Sequence, residues 1–178
     1  VTETVQANKS WGSQWLDAGP IKVGVLDTGY GDSGWGSTIK INSKIVLQPA
    51  PGYVVLSVTL NSSRESHVLS SASYITGTDG LEVVKGELGY TFTGFEVGKD
   101  YVFGNRSDGT WYVRDIIVTY IEHEHMPEHL TPNHDETSHW DDCICRAKLN
   151  EEAHDLVDGE ITKQPGNGLP GEQLQTCQ

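Results

Sequence analysis

The chain has 178 residues, a net charge of −13 and three cysteines. That length holds one domain with a sizeable core. No run approaches the ~18 consecutive apolar residues of a membrane-spanning helix, and the acidic balance disfavours a nucleic-acid partner. The charge is concentrated: residues 1–120 sum to −3, residues 121–160 to −10 and residues 161–178 to zero. The sequence opens at Val1 with no basic, apolar leader, the pattern expected of a mature, processed, soluble chain or of a trimmed piece.

In chain order, residues 1–125 read as all-β. In "IKVGV", Ile21, Val23 and Val25 share one face, the two-residue period of a half-buried strand. "TIKINSKIVL" aligns Ile39, Ile41, Ile45 and Leu47, and "YVVLSVTL" aligns Val54, Leu56, Val58 and Leu60. "SHVLSSASYI", "LEVV" and "LGYTFTGFEV" extend the series. "WYVRDIIVTYI" is apolar on both faces, as in a strand between two layers or one bulged at Arg114-Asp115. Turn signals separate the runs at 29–36, 49–52, 76–80, 98–100 and 105–109. Short strands so spaced predict an antiparallel β-sandwich or small barrel. Beyond it, residues 126–178 predict an irregular, acidic, His-rich extension. Its one short helix is expected at 149–157, where Leu149, Ala153, Leu156 and Val157 recur with helical spacing. Residues 163–178 are expected to be irregular.

Two stretches resemble catalytic blocks. "IKVGVLDTG" (21–29) resembles the aspartate block of subtilisin-like serine proteases, and "VLDTG" the active-site loop of aspartic proteases. A Ser-His-Asp hydrolase also needs a base and a nucleophile in reach, and neither a His-Gly-Thr-His nor a Gly-Thr-Ser-Met-Ala block occurs. An aspartic dyad needs a second carboxylate loop, and Asp32-Ser33-Gly34 lacks the apolar flanks. The reading is a strand ending in a Gly-rich turn, and a chain that is not an enzyme.

The order "IKINSKIVLQPAPGYVVLSVTL", "YTFTGF", "TWYVRDIIVTYIE" within residues 11–122 resembles the H-type lectin family. The resemblance implies an antiparallel β-sandwich that assembles into trimers or hexamers and binds galactose or N-acetylgalactosamine. Tyr120 stands where that family prefers Trp, its paired cysteines are missing from the body, and "YVFGNRSDG" does not match its aromatic-His tip. Its binding residues are therefore not carried over. From the residues themselves, a sugar site needs an aromatic face beside planar polar groups. Trp11, Trp15, Trp35 and Trp111 are the candidates, with Trp111, Asp108 and Arg64 the expected ligand group. The expected function is a secreted, non-enzymatic carbohydrate-binding subunit of a homo- or hetero-oligomer. The alternative is a storage or egg-fluid protein carrying a pigment or other small apolar ligand.

Six of the seven histidines lie between 123 and 154. His123 and His125 fall on one face of a continuing strand and Glu122 and Glu124 on the other, a start for a Zn²⁺ or Cu²⁺ site. His129 is the expected third ligand, with His134 or His139 as alternatives. Protonation of these histidines below about pH 6 is expected to discharge the region and change subunit association. Among Cys143, Cys145 and Cys177, a bridge from Cys177 to one of the other two is expected, the third being free or linking two chains. Asn8, Asn61 and Asn105 each open an N-glycosylation acceptor pattern, in keeping with secretion.

Overall fold

The alternating apolar runs fold as strands, and the chain is all-β and mostly antiparallel. The computed structural model describes residues 1–7, 12–28, 37–40, 42–106, 111–164, 170 and 172–177. The chain divides into two units, one of residues 1–124 with 144–146, the other of residues 125–143 with 147–178.

In the first unit, one five-stranded sheet runs in the order β1 (Thr2–Gln6), β12 (Asp115–Glu122), β6 (Tyr53–Asn61), β9 (Gly89–Thr93), β8 (Glu82–Lys85). A second runs β2 (Gly12–Ala18), β3 (Ile21–Thr28), β5 (Lys44–Pro49), β10 (Tyr101–Asn105), β7 (Ile75–Thr76). A short pair joins β4 (Ser37–Ile39) to β11 (Trp111–Val113). Inward residues of both large sheets belong to one hydrophobic cluster, among them Val23, Val25 and Leu47 from one and Val58, Leu60 and Val118 from the other. Phe92 of β9 and Phe103 of β10 join the sheets directly, their ring centroids 4.7 Å apart. Both rings are fully buried, so their large apolar area contributes fully to the core.

Two departures from strict alternation have local causes. On β6, Ser57 faces Thr119 but Val55 faces Tyr120, so Leu56 is an extra residue on its strand. That bulge turns Leu56 outward, 44% exposed, and puts Val55 in the core. The run 111–121 is not one strand. β11 and β12 pair with different partners, and the inward phase shifts from Trp111 and Val113 to Ile116, Val118 and Tyr120. Arg114 sits at the break. Its N–H donates to Asn61 O at 2.8 Å, its carbonyl accepts from Ala7 N–H at 2.7 Å, and its guanidinium pairs with Asp115 at 2.7 Å.

The strand expected over "SHVLSSASYI" is mostly replaced by two one-turn 3-10 helices, Glu65–His67 and Ala72–Tyr74, leaving only β7. Its serines favour local bonds over a ladder: Ser71 Oγ accepts from Ser73 N–H at 3.2 Å, capping the second turn.

The second unit holds a three-stranded sheet, β13 (Leu130–His134), β14 (Ser138–Cys143) and β15 (Lys148–Ala153), and a pair, β16 (Leu156–Lys163) with β17 (Glu172–Cys177). The helix expected at 149–157 is thus β15 and the start of β16. Leu149 and Ala153 pair with Asp141 and Ser138, and this ladder overrides a four-residue helical spacing. The tail expected to be irregular contributes β17. Among the described residues no helix is long and apolar enough to cross a membrane.

Candidate functional site

The outward face of the second five-stranded sheet carries an apolar rung beside a polar one. Trp15 pairs with Gly24, Gly24 with Val46, and Val46 with Val102, which sets these four side by side across the sheet. Two residues along each strand, Asp17 pairs with Lys22 and Lys22 with Gln48, and Asp100 lies next to Gln48 just before β10.

Trp15 is 52% exposed. Its indole lies over Gly24: a Cβ built there falls 2.8 Å from Cζ3 and Cη2 and 3.1 Å from Cε3. Glycine opposite the tryptophan therefore lets the ring lie against the backbone and turn its other face to solvent. Beside it run two contiguous grooves. One, of about 370 Å³, is lined by Trp15, Asp17, Lys22 and Gln48. The other, of about 480 Å³, continues past Asp17, Lys22 and Gln48 to Pro49, Asp100 and Arg146. The polar groups there are held in place. Gln48 Nε2 donates to Asp100 Oδ2 at 3.2 Å, Arg146 Nη1 donates to Asp100 Oδ1 at 2.9 Å, and Arg146 Nη2 donates to the carbonyl of Pro49. The arrangement offers an apolar stacking face and a row of planar hydrogen-bonding groups of both signs.

A second constellation lies in segments 123–125 and 143–145. The ligating atoms of His123, His125, Cys143 and Cys145 all lie within 4.8 Å of one another. His125 Nδ1 and Cys143 Sγ are 3.3 Å apart. Gly52 ties the other two: His123 N–H donates to Gly52 O at 2.8 Å, and Gly52 N–H donates to Cys145 O at 3.2 Å. Cys143 N–H donates to Ala147 O at 2.9 Å, closing the β14–β15 turn. Cys143 and Cys145 are 5% and 1% exposed, whereas Ile144 between them is exposed. His123 and His125 are half-buried and Glu122 and Glu124 exposed.

The expected sites are partly rearranged. His123 and His125 do come together, but two thiols stand with them in place of His129, which ends a one-turn helix at Pro127–His129. Cys143 and Cys145 are in no disulfide, so neither takes part in the bridge expected from Cys177. Trp111 is fully buried in the core and offers no stacking face, which dissolves the expected group with Arg64, an exposed residue before the first 3-10 turn. Asp108, Trp11, Trp35 and Asn8 lie outside the described residues. Asn105 is 2% exposed and its Nδ2 donates to Ile39 O at 2.9 Å, so the atom that would carry a glycan is enclosed by the fold. Asn61 is half-buried at the end of β6. In "VLDTG", Asp27 is the next-to-last residue of β3, in the left-handed region (φ 54°) with an exposed side chain.

Three more histidines gather in the second unit. The ring centroids of His139 and His154 lie 5.6 Å apart and those of His134 and His154 6.4 Å. Nearby, Asp135 accepts from Thr137 N–H and Oγ1–H and from Ser138 N–H, at 2.7, 2.8 and 2.9 Å. The Thr137 bonds chiefly hold its pKa down at about 2.

The face on Trp15 was missed because residues 12–18 do not alternate clearly enough to be read as a strand, and because only the inward half of "IKVGV" was followed. The available signal was a tryptophan and a glycine at outward positions of neighbouring strands. No family model, curated protein or solved structure matches the chain.

Proposed function

We propose that the chain is a secreted, non-enzymatic carbohydrate-binding protein with a β-sandwich body, and that the face built on Trp15 is its ligand site. One observation carries the reading: an exposed indole laid over Gly24, beside the polar rung Asp17–Lys22–Gln48–Asp100. A pyranose presents C–H groups on one face and hydroxyls around its edge. The C–H face packs on the outward indole surface, and the edge hydroxyls bond to carboxylate, amide and ammonium groups that serve as both donors and acceptors. Arg146, doubly anchored, closes the far end of the groove. A shallow site of this kind binds weakly alone, and oligomerisation raises its effective affinity.

A small apolar ligand is favoured less, because these grooves carry both signs of charge along their floor. The test is chromatography on immobilised galactose and N-acetylgalactosamine, followed by a panel of immobilised glycans. The expected result is retention that free sugar reverses and that Trp15→Ala abolishes while leaving the unfolding midpoint unchanged. Failure to bind any glycan, or equal binding by Trp15→Ala, overturns the proposal.

A further inference from the structure

We infer that His123, His125, Cys143 and Cys145 form a structural Zn²⁺ site. Zinc takes thiolate sulfur at about 2.3 Å and imidazole nitrogen at about 2.0–2.1 Å, so tetrahedral ligands lie about 3.4–3.8 Å apart. The four ligating atoms here lie within 4.8 Å of one another, and His125 Nδ1 and Cys143 Sγ stand 3.3 Å apart. Closing the shell thus requires side-chain adjustments of about 1 Å or less.

The donor set selects the ion. Two thiolates and two imidazoles suit zinc, whereas Ca²⁺ and Mg²⁺ need an oxygen shell. Four protein ligands leave no open position, the mark of a structural site. The backbone prepares the geometry with one pattern used twice. In His123-Glu124-His125 and in Cys143-Ile144-Cys145, the first and third residues turn inward and the middle one is exposed. For the histidines an i, i+2 pair continuing the strand does this; for the cysteines the β14–β15 turn does, with Ile144 and Cys145 in the turn itself. Gly52 bonds to a ligand residue of each pair. Segment 144–146 is further fixed on Gly98 (φ +70°), where any Cβ would collide with Ile144 O. Zinc holds the two buried sulfurs as thiolates.

The site stands independently of the sugar reading. Reduced full-length chain is stripped with a chelator, dialysed and titrated with Zn²⁺ alone against a competing chromophoric chelator, and a parallel sample is loaded with Co²⁺. The expected result is one zinc per chain and, with cobalt, a thiolate-to-metal charge-transfer band with the intense visible bands of a tetrahedral ion. Cys143→Ser or Cys145→Ser is expected to weaken zinc binding by more than the ~10–100-fold that even an outer-shell partner costs. Cys177→Ser, His129→Gln and His134→Gln are expected to leave it unchanged. Should the cysteine variants fail to fold, the wild-type cobalt spectrum decides, and loaded protein without the charge-transfer band overturns the site. So does zinc binding that survives Cys143→Ser/Cys145→Ser, or that falls with His134→Gln.

Discussion

Gly24→Ala separates the stacking face from the fold beneath it. The added Cβ falls 2.8 Å from two carbons of the Trp15 ring, whereas carbon–carbon contacts rest at about 3.5–4.0 Å. The indole must therefore rise or swing by about 0.7–1.2 Å. The ring is the far end of a side chain that is 52% exposed, so this movement costs little stability. Gly24 is itself buried, but the atoms nearest its added Cβ all belong to this exposed ring; a change absorbed at the surface is worth within ~0.5 kcal/mol, and the stiffer unfolded chain returns about 0.4–1 kcal/mol. The urea midpoint is expected to stay near wild type or rise slightly. Binding responds differently, because the sugar meets the displaced ring. Loss of an aligned aromatic contact worth ~0.5–1.5 kcal/mol weakens affinity about two- to tenfold. Calorimetric titration with a retained sugar, beside urea unfolding of the same sample, measures both quantities. Unchanged affinity refutes the stacking argument. A matched fall in stability and affinity refutes the claim that Gly24 serves the face and not the fold.

Four other outcomes are expected. Phe92→Ala removes one of the two rings that join the sheets and is expected to cost about 3–5 kcal/mol in urea unfolding; a loss under 1 kcal/mol contradicts the shared core. Burial chiefly, with Arg64 nearby, lowers the pKa of His67 from 6.5. Its contribution is fully present above pH 6.5 and is lost as pH falls through the folded value, so the unfolding midpoint should drop below pH 6.5 less steeply in His67→Gln. Asp135, held at about 2 against 3.8, contributes stability that is complete above pH 3.8 and disappears as pH falls through about 2; Asp135→Asn should flatten the acid limb of a midpoint-versus-pH curve. Cys145, a zinc ligand in this account, precedes Arg146, which reaches the groove through Asp100. Chelation of the metal is therefore expected to weaken sugar binding several-fold, read by the same titration with and without Zn²⁺.

The strand pattern was legible wherever one face is buried and the other wet. Ile21, Val23, Val25, Ile45 and Leu47 are all fully buried as their spacing requires. It failed at the Leu56 bulge, because one extra residue inverts every later position, whereas an irregularity at Arg114-Asp115 was one of the two readings of the apolar run there. It failed again at 149–157, where pairing with β14 decided a segment whose own preference is weak. Half of the metal group was visible as His123 and His125. Cys143 and Cys145 were read only as disulfide candidates, although they repeat the same i, i+2 spacing. Their meeting is long-range, fixed by hydrogen bonds to Gly52 and the close approach at Gly98, and no local pattern encodes it. The face on Trp15 likewise depends on which strands are neighbours: four residues from β2, β3, β5 and β10 make one rung only once the sheet order is known.

The central claim is that Trp15 presents the sugar-binding surface, and the difference between wild type and Trp15→Ala on one glycan panel measures it most directly. The account predicts at least one galactose- or N-acetylgalactosamine-bearing glycan retained by the wild type, released by free sugar and lost in the variant, with both proteins unfolding at the same urea concentration. A panel on which the two proteins bind alike, or on which the wild type binds nothing, contradicts it.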